Sequence, residues 1–382
     1  MYTRLYLHIP FCQSKCPYCA FVSREGNERA RSTYVTLLLE EMRLTCEESA
    51  SQQLLDSVYL GGGTPSLLTP QQVAQLLERI DKLYGLPNST EITLEANPGT
   101  VDFQRLAGFR SAGINRLSIG VQSFDDRMLV ALGRIHTAQQ ACDTVAIARK
   151  AGFNNIGIDL IHTLPGQTME MWRSDLEQAL QLMPEHLSVY GLAIEEGTPF
   201  AARYDDNNPL LPDDDLSADM FETADALLTT GGFEHYEIAN YARPGFRARH
   251  NSGYWKRDHY LGLGTGAHSF LHNGEYGIRF SNTPDLDEYS AEIRRKKLPR
   301  REQHILSRED AQAEFMFLGL RMSNGVTFKS FAQEFGVTLE KLFARQLHEL
   351  ATNGLLLVDA NSVRLTLRGM LLSNHVFSQF LF

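Results

Sequence analysis

Three cysteines crowd into eight residues, Cys12-Gln-Ser-Lys-Cys16-Pro-Tyr-Cys19, directly after a short apolar run at residues 5–9. A strand ending in such a loop delivers three thiolates to one place, and three thiolates can hold three irons of a cubane cluster. A structural cluster takes a fourth cysteine, so three leave one iron open to a small molecule. The competing chemistry is zinc with His8 as the fourth ligand. Zinc sites usually join one C-x-x-C pair to a distant second pair, and no such second pair exists here. Five cysteines in all, an odd number, suit metal ligation in a reducing compartment better than a disulfide framework. Cys46 and Cys142 fall in amphipathic helical patterns and read as core thiols.

The loop needs a scaffold. Residues 5–9, 58–60, 92–94, 117–121, 156–161 and 187–192 are short apolar or β-branched runs. The segments between them carry helical spacing, as in Tyr34, Leu37, Leu38 and Met42, or Val73, Leu76, Leu77, Ile80 and Leu83. Strand then helix, repeated, predicts a parallel βα array that right-handed crossovers curl into a partial barrel. The ligand site of such an array gathers at the C-terminal strand ends. Those ends carry Gly61-Gly62-Gly63-Thr64-Pro65, Glu95, Gln122 and Asp159, with Arg134 shortly beyond. Glycines admit a ligand close to the backbone, and exposed N–H groups there could bind a carboxylate. The acids can bond hydroxyls or an ammonium, and Arg134 can pair with a carboxylate. Tyr6 and Tyr18 flank the cysteine loop with aromatic faces.

Beyond residue 192 the pattern loosens. Pro199, the tract Asp205-Asp206-Asn207-Asn208-Pro209 and Pro212 mark loops, and a helix over 216–228 is stopped by Gly231-Gly232. Residues 233–289 mix short strands and turns and read as an irregular cap. The basic segment 294–301, with Pro299, reads as a solvated hinge. From residue 310 the order is helix, helix (328–335), helix (339–352), strand (355–358), strand (363–367), a winged-helix-like arrangement. The expected division is therefore 1–232 for the barrel, 233–300 for cap and linker, and 301–382 for the C-terminal module.

A net charge of −10 argues against a polyanion partner. Gln333, Glu334, Glu340 and Glu349 on the winged module would repel phosphate, so nucleic acid is not expected. The sequence shows no nucleophile elbow, no phosphate loop and no paired metal-ligand helix. Glu40-Glu41, Glu47-Glu48 and Asp213-Asp214-Asp215 read as ordinary helix acids. No signal-peptide pattern and no long apolar span are present, which leads us to expect a soluble cytoplasmic protein.

The Cys-x-x-x-Cys-x-x-Cys loop after a strand resembles the radical S-adenosylmethionine (SAM) superfamily motif. Its context, Tyr6-Leu-His-Ile-Pro-Phe-Cys12, resembles the oxygen-independent coproporphyrinogen III oxidase branch, and the likeness runs along nearly the whole chain. It implies an α/β fold: a radical SAM partial (β/α)6 barrel, then a mixed α/β cap and a small helical, winged-helix-like C-terminal domain. It also implies a [4Fe–4S] cluster on Cys12, Cys16 and Cys19 that, when reduced, cleaves SAM into methionine and a 5′-deoxyadenosyl radical. By the same resemblance Gly62, Gly63 and Thr64 meet the methionine amino group, and Glu95, Gln122, Arg134 and Asp159 contact SAM. Tyr6 and Tyr18 would pack on its adenine side, with Ala193 as a backbone contact. The oxidases add a further cysteine two residues after the motif, where this chain has Phe21.

His250-Asn251-Ser-Gly-Tyr254-Trp255 matches the His-Asn-x-x-Tyr-Trp motif of the HemW-type haem chaperones, and Gly262-Leu-Gly-Thr-Gly-Ala-His268 is similar to theirs as well. That resemblance implies haem as cargo, with His250 on the iron, Tyr254 and Trp255 against the porphyrin, and His268 as a second imidazole. It implies haem-requiring acceptor proteins as partners, membrane respiratory proteins among them, and hence a location peripheral to the membrane. The alternative it leaves is a coproporphyrinogen-decarboxylating radical enzyme.

Overall fold

The computed structural model describes residues 2–48, 54–205, 208–272 and 276–382; Asp206 and Asn207 of the loop tract lie outside them. Six strands, β1 (Arg4–Ile9), β2 (Ser57–Gly62), β3 (Glu91–Ala96), β4 (Arg116–Gln122), β5 (Ile156–His162) and β6 (His186–Gly191), pair in parallel in sequence order. Each covers one of the expected runs, except that the last ends at Gly191, one residue short of Leu192. Helices Glu28–Glu48, Pro70–Tyr84, Phe103–Ala112, Ala138–Lys150 and Met169–Gln181 make the crossovers. Their starts are written locally: Thr69 and Thr137 each close a reciprocal capping box with the glutamine three residues on.

Strand periodicity sorts the side chains. Leu5, Leu7, Ile9, Val58, Leu60, Leu94, Leu117, Ile119, Ile158 and Leu160 are fully buried beneath the helices. The alternate positions, Tyr6, His8, Tyr59, Glu95, Ser118, Asp159 and Ser188, face inward, because successive side chains on a strand point to opposite faces. The polar lining of the barrel is thus a register effect.

The short strands of the segment that reads as an irregular cap are joined to the barrel's own sheet. Strands β7 (Glu234–Glu237) and β8 (Asn240–Ala242) add an antiparallel pair beyond β6. The chain then crosses over through helix Arg249–Trp255, and β9 (Tyr260–Leu263) pairs parallel to β1 on the other edge. β10 (His268–Leu271), β11 (Ile278–Asn282) and β12 (Arg300–Ile305) follow antiparallel, completing a twelve-stranded sheet. The expected hinge is another correction. Arg294 ends helix Leu286–Arg294, and Arg300 and Arg301 pair with Asn282 and Ser281. An edge strand exposed on both faces has no apolar alternation, so its sequence reads as loop.

Glu41, by its place in the sequence an ordinary helix acid, is buried. It accepts the Gly264 N–H at 2.8 Å, the Tyr289 hydroxyl at 2.6 Å and the Asn282 amide at 2.5 Å. One carboxyl thereby fastens the long first helix to the added strands, and burial pushes it up to about 7 against those bonds.

The C-terminal module has its own apolar core around Phe331, Phe335, Leu347 and Phe380. Helices Arg308–Gly319, Phe328–Phe335 and Leu339–Thr352 pack on a small antiparallel sheet of β13 (Val326–Thr327), β14 (Leu356–Val358) and β15 (Ser362–Leu365). The last strand stops before residue 367 because Thr366 caps the short helix Leu367–Leu371. No helix among the described residues is long and apolar enough to cross a membrane.

Candidate functional site

At mid-depth in the barrel, register sets Glu95 beside Ser118 and Asp159 beside Ser188. Glu95 accepts the Tyr59 hydroxyl at 2.8 Å and the Gly62 N–H at 3.0 Å, and Asp159 accepts Ser118 Oγ at 3.1 Å. Burial pushes Glu95 up to about 7, with the Asp159 charge adding to the rise and the two donors opposing it. Asp159 is raised too, chiefly by burial. Arg116, buried in the same layer, supplies the countercharge that holds both partly down. Two carboxyls raised in this way gain when a cation or further hydroxyl donors arrive.

Above them a cavity of about 430 Å³ opens at the C-terminal strand ends. Cys12, Cys16 and Cys19 line one wall, and Tyr18, Gly62, Gly63, Thr64, Glu95, Gln122, Arg134, Asp159 and Ala193 line the remainder. The cysteine loop is braced by the Cys19 N–H on the Cys16 carbonyl at 3.1 Å. Gly133, at φ +69°, lets Pro17 approach; a Cβ there would lie 2.6 Å from the proline ring. Arg134 reaches Cys16 Sγ with one terminal nitrogen at 3.6 Å, and with the other bonds Asn97 Oδ1 at 2.7 Å and the Gly120 carbonyl at 2.8 Å.

The glycine turn differs from expectation. The N–H groups of Gly62, Gly63 and Thr64 donate to Glu95, Ile9 and Phe11 respectively, so they form no open anion nest. What the turn can offer a ligand is carbonyl oxygen, which suits an ammonium. A Cβ on Gly63 would meet the Phe11 carbonyl at 2.8 Å and Cys12 Sγ at 3.0 Å, so only glycine lets the turn lie against the cysteine loop. Gln122 sits at a bulge with φ +72°, and its Oε1, like Arg134 Nε and Arg116 Nε, is buried without a partner among the described residues. Strained backbone and unpaired polar atoms cluster at functional sites. Three thiols, acceptor carbonyls, two raised carboxyls and unpaired polar groups on one cavity fit a cluster with a zwitterionic, hydroxyl-bearing ligand beside it. The zinc alternative loses its fourth ligand, because His8 bonds the Tyr6 hydroxyl at 3.0 Å and the Val22 carbonyl at 2.7 Å.

Tyr6 is not on this cavity. It lies over Tyr59 with ring centroids 6.1 Å apart and faces a second pocket of about 460 Å³, lined also by Phe21, Tyr254, Trp255, Tyr260 and His268. Ala20 and Phe21 line both cavities. His250, expected at haem iron, is buried; Ser57 Oγ lies 2.8 Å from its Nδ1 and the Tyr254 hydroxyl 2.8 Å from its Nε2. Burial, then the charges of Arg4 and Arg116, push its pKa down to about 3. A fully bonded imidazole inside the protein presents no lone pair to a metal, so in this arrangement His250 positions a wall. Its helix is anchored by Glu91, which accepts the N–H groups of Arg249 and His250.

Sequence reasoning missed Tyr59, Asn97, Arg116 and Asn251, all on the first cavity. Asn97 bridges Thr64 Oγ1, at 3.0 Å, and Arg134; its signal was its place directly after Glu95 and Ala96 at a strand end. Arg116 is the single charged residue of its strand, at the opening position. Asn251 belongs to the His-Asn-x-x-Tyr-Trp motif, yet it faces the cysteine cavity while Tyr254 and Trp255 face the other.

Comparison with known proteins gives a match to the radical SAM superfamily over residues 6–179 and to the HemN C-terminal domain over residues 306–372. The chain is 39% identical to heme chaperone HemW of Lactococcus lactis, covering 98% of this chain and 96% of that one. It is 38% identical to heme chaperone HemW of Haemophilus influenzae, covering 99% and 97%. The mouse mitochondrial radical S-adenosyl methionine domain-containing protein 1 is 37% identical over 96% of this chain and 84% of its own. Among solved structures, coproporphyrinogen III oxidase (HemN) of Escherichia coli superposes with a TM-score of 0.86 at 25% identity, covering 99% of this chain and 90% of that one.

Proposed function

Given that the chain belongs to the heme chaperone HemW family within the radical SAM superfamily, we propose that it holds a [4Fe–4S] cluster and SAM in the cysteine cavity and carries haem to haem-requiring acceptors, membrane respiratory proteins among them. The observation that carries this reading is the pairing of a three-thiol cavity with an adjacent aromatic pocket across Phe21. When bound, the cluster supplies an electron to SAM. The chain's own residues do the rest of the holding. Cys12, Cys16 and Cys19 ligate, the carbonyls of the glycine turn accept an ammonium, Glu95 and Asp159 accept hydroxyls, and Gln122 and Arg134 complete their unpaired atoms on the ligand. Tyr18 covers the cavity from the loop side.

The likeness to HemN keeps a second reading in view, oxidative decarboxylation of coproporphyrinogen III. Phe21, at the position of the oxidases' further cysteine, opposes it. Anaerobically reconstituted protein with SAM and reductant separates the two readings. Stoichiometric haem uptake without protoporphyrinogen formation is the expected result; coproporphyrinogen turnover that disappears in Cys16→Ala would overturn the chaperone reading.

A further inference from the structure

The aromatic pocket has three histidines at or behind its walls, and they differ in what their nitrogens are doing. His8 spends both on Tyr6 and Val22. His250, behind Tyr254, spends both on Ser57 and Tyr254. His268 opens β10 at the pocket edge, is exposed, and its ring makes no hydrogen bond among the described residues. We propose that His268 would ligate the iron of haem held in this pocket, which Phe21 and Trp255 help to line, and that His250 only positions the Tyr254 wall. The proposal rests on the haem-carrying reading above and deepens it by naming the site.

The lining fits a flat, largely apolar disc with one metal at its centre. Tyr6, Tyr254, Trp255, Tyr260 and Phe21 supply aromatic surface, and a free imidazole supplies the iron ligand. Phe21 is 67% exposed, a large apolar side chain left without cover where a cargo would supply it. The cation on this pocket, Arg279, is already neutralised: Nη2 meets Glu314 at 2.9 Å and Nη1 the Tyr260 hydroxyl at 3.1 Å. The pocket interior therefore offers no free charge, and the cargo's carboxylates belong at its open mouth. Backbone geometry fixes His268 in turn, because a Cβ on Gly262 would come 2.1 Å from the His268 carbonyl.

Haem titration of the full chain tests the proposal, with the Soret band and low-temperature electron paramagnetic resonance reading the iron's ligand. Wild type should show histidine ligation. His268→Ala should lose that signature and bind haem at least tenfold more weakly, and free imidazole should restore the signature. His250→Gln, which keeps hydrogen-bonding capacity, should retain histidine ligation with affinity reduced only a few-fold. Histidine ligation that survives in His268→Ala and is lost in His250→Gln would overturn the assignment while leaving the carrier reading intact. Wild type that retains no haem would instead overturn the carrier reading, and the assignment with it. Cluster reconstitution in each variant reports that the fold is preserved.

Discussion

The two cavities share the Ala20–Phe21 wall yet are assembled in opposite ways. The cysteine cavity is lined by residues at successive strand ends of one repeating unit, and its wall carries several polar side chains, positive-φ backbone at Gln122 and unpaired buried atoms. The aromatic pocket draws on β1, the loop after Cys19, the Arg249–Trp255 helix, β9 to β11 and Leu318 of the C-terminal module. Its histidines, apart from His268, are satisfied internally. One region is poised for a charged, many-handled ligand, and the other for a large flat one with a single point of attachment. A repeated βα unit places polar groups with high density at its mouth; an added sheet edge yields mainly packing surface.

The sharpest way to break this comparison is Cys16→Ala. Cluster iron and its charge-transfer absorbance should fall to background after reconstitution, while haem affinity stays within about twofold. Loss of both ligands together would mean that the two cavities work as one site.

Arg116→Met removes the buried countercharge beneath the cysteine cavity. It should cost roughly 3–5 kcal/mol in urea unfolding, as expected when one partner of a buried charge network is deleted. It should also push Glu95 and Asp159 further up. A loss under about 1 kcal/mol would show that the network does not depend on this cation.

Glu41→Gln probes the seam that carries the aromatic pocket. Because burial raises Glu41 to about 7, the folded state holds its proton more tightly than the unfolded chain. The contribution is present in full below the ordinary value of 4.5 and is lost as pH rises towards 7. The glutamine variant should therefore flatten the fall in stability between those pH values by on the order of 3 kcal/mol, read as urea midpoints of variant and wild type at pH 5 and 8. Parallel curves would exclude a titrating seam.

The smallest effect is assigned to Tyr254→Phe. Removing the hydroxyl leaves His250 Nε2 buried without its 2.8 Å partner, a cost of about 1–2 kcal/mol. Histidine ligation of haem should persist, which distinguishes a wall from a ligand.

Much of the cysteine cavity was legible because its information is local. Thiol spacing, a strand before the loop, and polar residues at strand ends all lie within single βα units, and strand alternation determines which of them face inward. Glu95, Gln122 and Asp159 could be named for that reason and Arg134 by the family resemblance, whereas Arg116 escaped because a charge at the bottom of a strand reads as exposed until the barrel buries it. The glycine turn shows the limit even here. Its composition was plain, but only the neighbouring strands decide that the N–H groups of Gly62, Gly63 and Thr64 are consumed.

By itself the sequence determined the βα repeat, the three-thiol loop and the winged order of the C-terminal helices, since periodicity, capping and spacing act over a few residues. The tertiary structure alone decided that residues 233–305 extend the barrel sheet at both edges, that Glu41 is a buried fastening, and that Tyr6 faces away from the cysteine cavity. It also decided which imidazole is free. His250 and His268 are equal as letters in a motif; burial against Ser57 and Tyr254 occupies one and exposure at a strand edge spares the other. Whether a nitrogen has a lone pair to give depends on all its partners, and while Tyr254 is only four residues from His250, Ser57 lies far back in the chain where no local pattern encodes it.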